Sequence, residues 1–324
     1  RSLVGSEMCI RDRSCSFKLL KKSGWLGIKL ALVIIVLLPL QNLVGVGISS
    51  LLGINPLHGI AMGSTSMTGG IGSAVSFGKI MEGLGAANST TIGVASATFG
   101  LLIGSLVGGP TAKKLIRKHN LKSSGLLLEK ERDEVKNSIN QKSLMRAIVI
   151  IALASFLGTF INRLLALTPI NFPYYVGCQF GGLVVRNIYD GFRKDVAIDN
   201  VEILGNISLN LFLALSLINL NISAILGLAL PMFIIMFGQA IFISLYTRIV
   251  TFNLTGRNYD AAVMVAGHCG VGLGQTPNAI ANMEAIIEEE GPAGVAMFVF
   301  PIVLAIAVNF FNPIVITFFI NAFS

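Results

Sequence analysis

Charge is what this sequence has least of. Asp, Glu, Lys and Arg make up 12% of its 324 residues, about half their share in a soluble domain, which leaves too little to clothe a water-soluble globule. Acidic residues are the scarcer sign, 16 against 24 Lys and Arg. The four cysteines, Cys9, Cys15, Cys178 and Cys269, show no C-x-x-C spacing and no accompanying His pattern, so neither a disulfide scaffold nor a zinc site is built. The net charge of +8 does not indicate nucleic acid, because the basic residues lack interleaved aromatics and fall between apolar runs. Those runs are continuous rather than alternating, which excludes a transmembrane β-barrel.

Long apolar runs are what is present, 53% of the chain being hydrophobic. Runs of about 20 such residues cross a bilayer, and the fold class expected is an all-α polytopic membrane protein. Seven spans are predicted: Trp25 to Leu52, Thr91 to Ala112, Leu144 to Leu167, Phe172 to Asn187, Ile203 to Asn219, Ile222 to Thr247 and Ala293 to Phe319. Lys18, Lys21 and Lys22 place the start of the first span in the cytoplasm, and Lys113, Lys114, Arg117, Lys118, Arg193, Lys194, Arg248 and Arg257 mark later cytoplasmic ends. Residues 113–143 read as a cytoplasmic linker in which "LEKERDEVK" alternates sign. Residues 1–16, beginning "RSLVGSEMCIRDR", have neither an apolar run nor a signal-peptide shape and read as a foreign leader.

Two Gly-rich stretches interrupt this pattern. "GSTSMTGGIGSAVSFG" stacks several glycines where each costs about 1 kcal/mol in a helix interior, and "AGHCGVGLGQTPNAIANM" does the same. The first is entered from the outside and the second from the inside by the positive-inside count. Both follow a Gly-x-Asn, Gly53 to Asn55 and Gly256 to Asn258. Inverted repeats with broken helices at mid-membrane are the build of secondary transporters, and irregular backbone is tolerated at that depth only where it is buried in protein or lines a cavity. The expected division is residues 17–112 for the rest of a first repeat and 144–324 for a second. No Asp or Glu lies inside the seven spans, which favours sodium over protons as coupling ion. His268 and Cys269 are chain neighbours and point apart, with no third orienting group, so no enzyme is expected. Gln41 and Asn42 are polar groups that do not face lipid cheaply, Asn309 and Asn312-Pro313 polarise and bend the last span, and Pro277 fits a helix restarting at its first turn.

At these residues the chain resembles the bacterial sodium/glutamate symporter family. "QNLVGVGISSLLGINPLHG", "ATFGLLIGSLVGGP", "LGNISLNLFLAL", "NYDAAV" and the second Gly-rich stretch carry the likeness, from about Trp25 onward. The resemblance implies ten spans in two inverted halves, of which these seven would be the fourth to tenth. It also implies uptake of L-glutamate with sodium at the bacterial inner membrane, with no cofactor, no nucleic-acid partner, the lipid bilayer as surroundings and a homodimer as the assembly to test for. The candidate substrate contacts are Ser66, Thr68, Gly69, Gly70, Gly72, Ser73, His268, Cys269, Gly270, Gly272, Gly274, Thr276 and Asn278. The candidate sodium ligands are Thr65, Asp260, Gln275, Asn282 and Asn312. Where many members of the family carry His after the paired glycine, this chain has Ile71. A carrier of another organic anion, an ion channel filtered by the Gly-rich loops, and a remnant that does not transport are the alternatives. Two inverted loops in one chain disfavour the channel, which needs a ring of subunits around one pore.

Overall fold

The computed structural model describes residues 24–123, 125, 141–167, 174–191, 198–218 and 227–324. The leader at 1–16, the charged string at 128–136 and the expected span edges at 168–173 and 219–226 lie outside the described residues. Among the described residues there are helices and no strands. Five helices are long and apolar enough to cross a membrane: α1 (Gly24–Leu51), α4 (Ser89–Lys118), α5 (Gln141–Leu165), α8 (Ala229–Leu254) and α10 (Gly294–Phe323). Between α1 and α4 lie α2 (Pro56–Ile60) and α3 (Gly70–Gly83). The expected fourth and fifth spans form helices of 18 and 21 residues, α6 (Tyr174–Gly191) and α7 (Ile198–Ile218). The last long helix before α10 is α9 (Tyr259–Glu290). The second span runs further than expected. α4 continues through Lys118 instead of stopping near Ala112, and Arg117 and Lys118 occupy its last turn, where cations are favoured by the helix dipole.

The chain packs as two compact units, and these cut across the expected repeats. One contains 131–220 and the other 23–130 with 221–324. The first is a helix packing of α5 and α6, joined by α7, around Ala147, Ile150, Ile151, Ala154, Val185 and Val201. Its α5 and α6 approach to backbone contact, for a Cβ on Gly158 would lie 2.4 Å from Cys178 Cα.

The second unit holds both Gly-rich stretches, and each is a helical hairpin. In the first, α2 and a π-helical turn at Ala61–Thr65 descend beside α1, and α3 returns beside α4. Close approaches fix these directions. A Cβ on Gly45 would lie 2.2 Å from Gly59 O, one on Gly63 2.5 Å from Asn42 Oδ1, and one on Gly78 2.5 Å from Thr90 Cα. The two ends of this hairpin share one end of the unit, where His58 Nε2 lies 3.0 Å from Ala87 O. In the second hairpin α9 folds back on itself at Gly274 (φ −150°, ψ 23°) and Gln275 (φ 75°, ψ 173°). Gly270 meets Ala279, Gly267 meets Met283, and Asn282 Nδ2 donates to Ala266 O at 3.3 Å. Its two ends meet where Tyr259 donates its hydroxyl proton to Gly291 O. The Lys113–Glu289 ion pair and the Ser123 hydroxyl on Pro292 O seat that end against the C-terminal end of α4 and the residues just past it. The hairpins therefore approach each other from opposite ends of α4.

The seam between α4 and α9 is made by glycines four residues apart. A Cβ on Gly100 would lie 2.1 Å from Leu273 O and 2.9 Å from Met67 Sδ, while Gly104 and Gly108 face the side chains of Asn278 and Asn282. Small residues at such a spacing let membrane helices touch backbone to backbone. Gly100→Ala is expected to lower the melting temperature in detergent and the amount of protein in the membrane, with a cost of about 1–3 kcal/mol from overpacking. An unchanged melting curve would mean that the seam is looser than this.

Candidate functional site

The tips of the two hairpins meet, and Gln41 of α1 ties them together. Its Nε2 donates to Gly272 O of the second hairpin at 2.7 Å, and its Oε1 accepts from the Thr68 hydroxyl of the first at 2.7 Å. Asn42 beside it accepts from Ser64 N at 2.8 Å. Gln239 of α8 donates to Gln41 O at 2.8 Å, and Tyr246 donates to Val33 O at 2.8 Å, so α8 braces α1 behind the junction. Gln41, Asn42 and Gln239 are all fully buried. The neighbouring amides Gln41 and Asn42 inside an apolar run are the sequence signal for this bridge.

The side chain of Gln275 lies flat over Gly70. A Cβ at Gly70 would fall 2.0 Å from Gln275 Cδ and 2.2 Å from Nε2. Gly70 has φ +72°, in the region that favours glycine. Gln275 occupies a backbone region that is essentially glycine-only, a strain of order 1–3 kcal/mol that persists where surrounding structure enforces it. Pro277 stands in the first turn of the returning arm, as its sequence position predicted.

Of the expected substrate contacts, Thr68, Gly69, Gly70, Gly272 and Gly274 lie at the junction, and Gly72, Ser73 and Thr276 are half-buried beside it. Gly270 serves the packing of the second hairpin's two arms. Asn278 is engaged with α4, accepting from Ser105 Oγ at 2.6 Å and donating to Leu101 O at 3.2 Å. His268 and Cys269 sit further down the descending arm. The His268 Nδ1 pairs with Thr251 Oγ1 at 2.8 Å and the Cys269 thiol with Thr247 Oγ1 at 3.1 Å. Both hydroxyls come from the π-helical turn Thr247–Thr251 of α8, and such turns recur at functional sites.

The expected sodium ligands separate in the same way. Thr65 is fully buried in the first break, and Asn312 Nδ2 reaches it by donating to Ser64 O at 3.1 Å. A third π-helical turn, Ala307–Phe311, precedes Asn312 and delivers it there. Asn282 instead clamps Gly104 O and Ala266 O. Asp260 accepts from Ala296 N at 2.8 Å and so starts α10; at 1.5 Å per residue it lies about 20 Å along α9 from the tip.

What the junction offers chemically follows from its ends. Two helix N-termini, that of α3 at Gly70 and that of the arm 276–290, converge on it with the positive ends of their dipoles; the Gly70 N–H donates to Ser66 O at 2.9 Å, so an anion would be met by the N–H groups that follow it in the first turns. Two helix C-termini, from the descending arms, converge with them. Beside these stand buried oxygens with no hydrogen-bond partner: Ser64 Oγ, Thr65 Oγ1, Ser66 Oγ and Asn312 Oδ1. Among the described residues no cluster of His, Cys, Asp and Glu with metal-binding geometry exists. The site thus offers N–H groups to an anion and uncharged oxygens to a hard cation, which is how half-helices serve an anionic substrate and an alkali ion together.

Five helices long and apolar enough to cross a membrane define a multi-pass α-helical membrane protein. Its sequence matches the family model described as sodium/glutamate symporter over residues 10–292. The chain belongs to that family. The match begins inside the segment 1–16 that was expected to be foreign. Similar curated proteins are the sodium/glutamate symporters of Escherichia coli K12 and Shigella flexneri, each 41% identical over 294 residues, covering 88% of this chain and 73% of the relative. That of Haemophilus influenzae is 34% identical, over 84% of this chain and 70% of its own length. No solved structure matches the chain.

Proposed function

We infer that the protein is a sodium-coupled secondary transporter that takes up L-glutamate across the bacterial inner membrane by alternating access. The relatives supply the names of substrate and ion. The observation that carries the reading on this chain is the junction, where two helix N-termini meet beside four unpartnered buried oxygens. The hairpins are re-entrant loops, entered from opposite membrane faces, and the two Gly-x-Asn openers mark an inverted repeat. Asn55 Oδ1 accepts from Leu57 N and Asn258 Oδ1 from Ala261 N, each opening its hairpin after a glycine of positive φ, Gly53 and Gly256. Thr65 and Asn312, with Ser64 and Ser66, hold sodium. Gly70, Gly72, Ser73 and Thr276 face the substrate carboxylates, and Gln275 covers the site. The repeats at 17–112 and 144–324 and a homodimer belong to the same proposal.

The test is uptake of labelled glutamate by membrane vesicles with and without a sodium gradient. Uptake is expected only with sodium, and a proton gradient in sodium-free buffer is expected to drive none. Asn312→Ala is expected to raise the sodium concentration for half-maximal uptake roughly tenfold or more, as loss of a ligand to a charged species does. Proton-driven uptake, or an unchanged sodium dependence in that variant, counts against the assignment.

A further inference from the structure

Arg248 has no carboxylate partner among the described residues. It lies in the π-helical turn Thr247–Thr251 of α8. Its Nη2 makes one long hydrogen bond, to Thr111 Oγ1 at 3.3 Å, and its Nε is buried without a partner. The ion pair at this end of the unit is Lys113–Glu289, and among the described residues no acid pairs with Arg248.

Its direction is informative. Basic side chains near helix ends ordinarily snorkel outward to water. Arg248 turns sideways into the unit instead, onto Thr111 of α4 at about its own depth, the two residues lying six and seven positions before their helix ends. Thr111, its acceptor, is fully buried seven residues before the end of α4, about 10 Å inside that end. The Thr111 hydroxyl is 3.4 Å from that of Ser244, four residues back along α8 from Arg248. The same turn touches the descending arm of the second hairpin, through Thr247 on Cys269 and Thr251 on His268. Cys269 is five residues, about 8 Å, from the tip at Gly274. A guanidinium carries five N–H donors in a fork that fits a carboxylate bidentately. At the cytoplasmic edge of the spans this guanidinium is held by one long hydrogen bond and has donors to spare for an anion.

We propose that Arg248, with the hydroxyls of Thr111 and Ser244, is an anion station that receives a carboxylate of the transported substrate between the hairpin junction and the basic end of α4. That end carries Lys113, Lys114, Arg117 and Lys118 and faces the cytoplasm by the positive-inside rule. The station therefore acts on release to, or entry from, the inner side. It rests on the transport reading given above.

The experiment compares Arg248→Gln and Arg248→Lys with the unmodified protein in right-side-out and inside-out vesicles at matched membrane abundance. It measures KM for glutamate at each face and competition by glutamine, the neutral amide. Arg248→Gln is expected to raise the inner-face KM roughly ten- to a hundredfold, as loss of a charged hydrogen bond does, and the outer-face KM by much less. The inner-face preference for glutamate over glutamine shrinks by the same factor. Arg248→Lys, which keeps the charge and loses the fork, is expected to fall between. If Arg248→Gln does not reach the membrane, the lysine variant carries the test alone. Unchanged inner-face KM and unchanged glutamine discrimination overturn the station while sodium-driven uptake by the unmodified protein stands. Absence of that uptake sinks the transport reading instead.

Discussion

Gly70→Val is expected to abolish sodium-driven glutamate uptake. The new side chain meets two obstacles. At φ +72° a residue with a Cβ is strained by about 1–2 kcal/mol, and a β-branched one is strained further. Its Cβ then falls 2.0 Å from Gln275 Cδ. Gln275 is half-buried and its side chain is flexible, so the clash is relieved by swinging the amide aside. That opens the cover of the junction and puts methyl groups where a carboxylate would approach the start of α3. Losing one hydrogen bond to a charged group costs about 1.5–3 kcal/mol, or roughly ten- to a hundredfold in affinity. A second variant separates clash from strain. Gln275→Gly removes the side chain over Gly70 and places glycine in a backbone region that glutamine occupies at a cost of order 1–3 kcal/mol. Gly70→Ala is therefore expected to lose most uptake alone and to regain part of it when combined with Gln275→Gly. Uptake and membrane abundance are measured together. Wild-type transport by Gly70→Val would show that the tip serves packing only.

The local devices of the site were legible in the sequence, and their meeting was not. Glycine clusters announce both breaks, Pro277 announces the restart of a helix, and the paired Gly-x-Asn strings announce two openings, because each of these is decided by backbone preferences within a few residues; that Asn55 and Asn258 cap those openings with their side chains is added by the structure. The contacts of Gln275 with Gly70 and of Gln41 with Gly272 join residues about 200 positions apart. No periodicity encodes such a pair. The same limit explains why Asn278 and Asn282 read as ligands. An amide in a broken helix looks alike whether it faces a substrate or clamps a neighbouring carbonyl; here both donate to carbonyls of α4, whose glycine face meets them at Gly104 and Gly108. Arg248 marks a cytoplasmic end in the sequence, just past a span expected to stop at Thr247; the helix runs on to Leu254, and the sequence does not say which way the arginine side chain turns. Asn312 stood out as a polar break in the last span, and the π-helical turn before it supplies the rotation that brings it to Ser64 O.

Gln41→Leu is expected to reduce uptake by more than tenfold and to lower thermal stability together, because one side chain joins both hairpins. Leucine is close to glutamine in size, so the change removes polarity more than volume. Two groups then lose their partner in a buried site: Gly272 O, which accepts from Gln41 Nε2, and the Thr68 hydroxyl, which donates to Oε1. Leaving a buried polar group unpaired costs about 1–3 kcal/mol, so the destabilisation expected is on the order of 2–5 kcal/mol, since the two losses are not strictly additive. Thr68→Val provides the control. Alone it strands Gln41 Oε1; combined with Gln41→Leu it removes a hydroxyl that already has no partner. The double variant is expected to be more stable than the sum of the single losses predicts, with a coupling of 0.5–3 kcal/mol typical of directly bonded residues. Transport is expected to behave differently from stability. The double variant recovers stability but not uptake, since Gly272 O at the tip of the second hairpin remains untied to α1. Gln41→Glu keeps the acceptor for Thr68 and loses the donor to Gly272 O, so it isolates that tie. Additive melting temperatures across the cycle, or uptake restored in the double variant, would show that Gln41 merely fills space between the hairpins and that their tips are aligned by the glycine seam on α4.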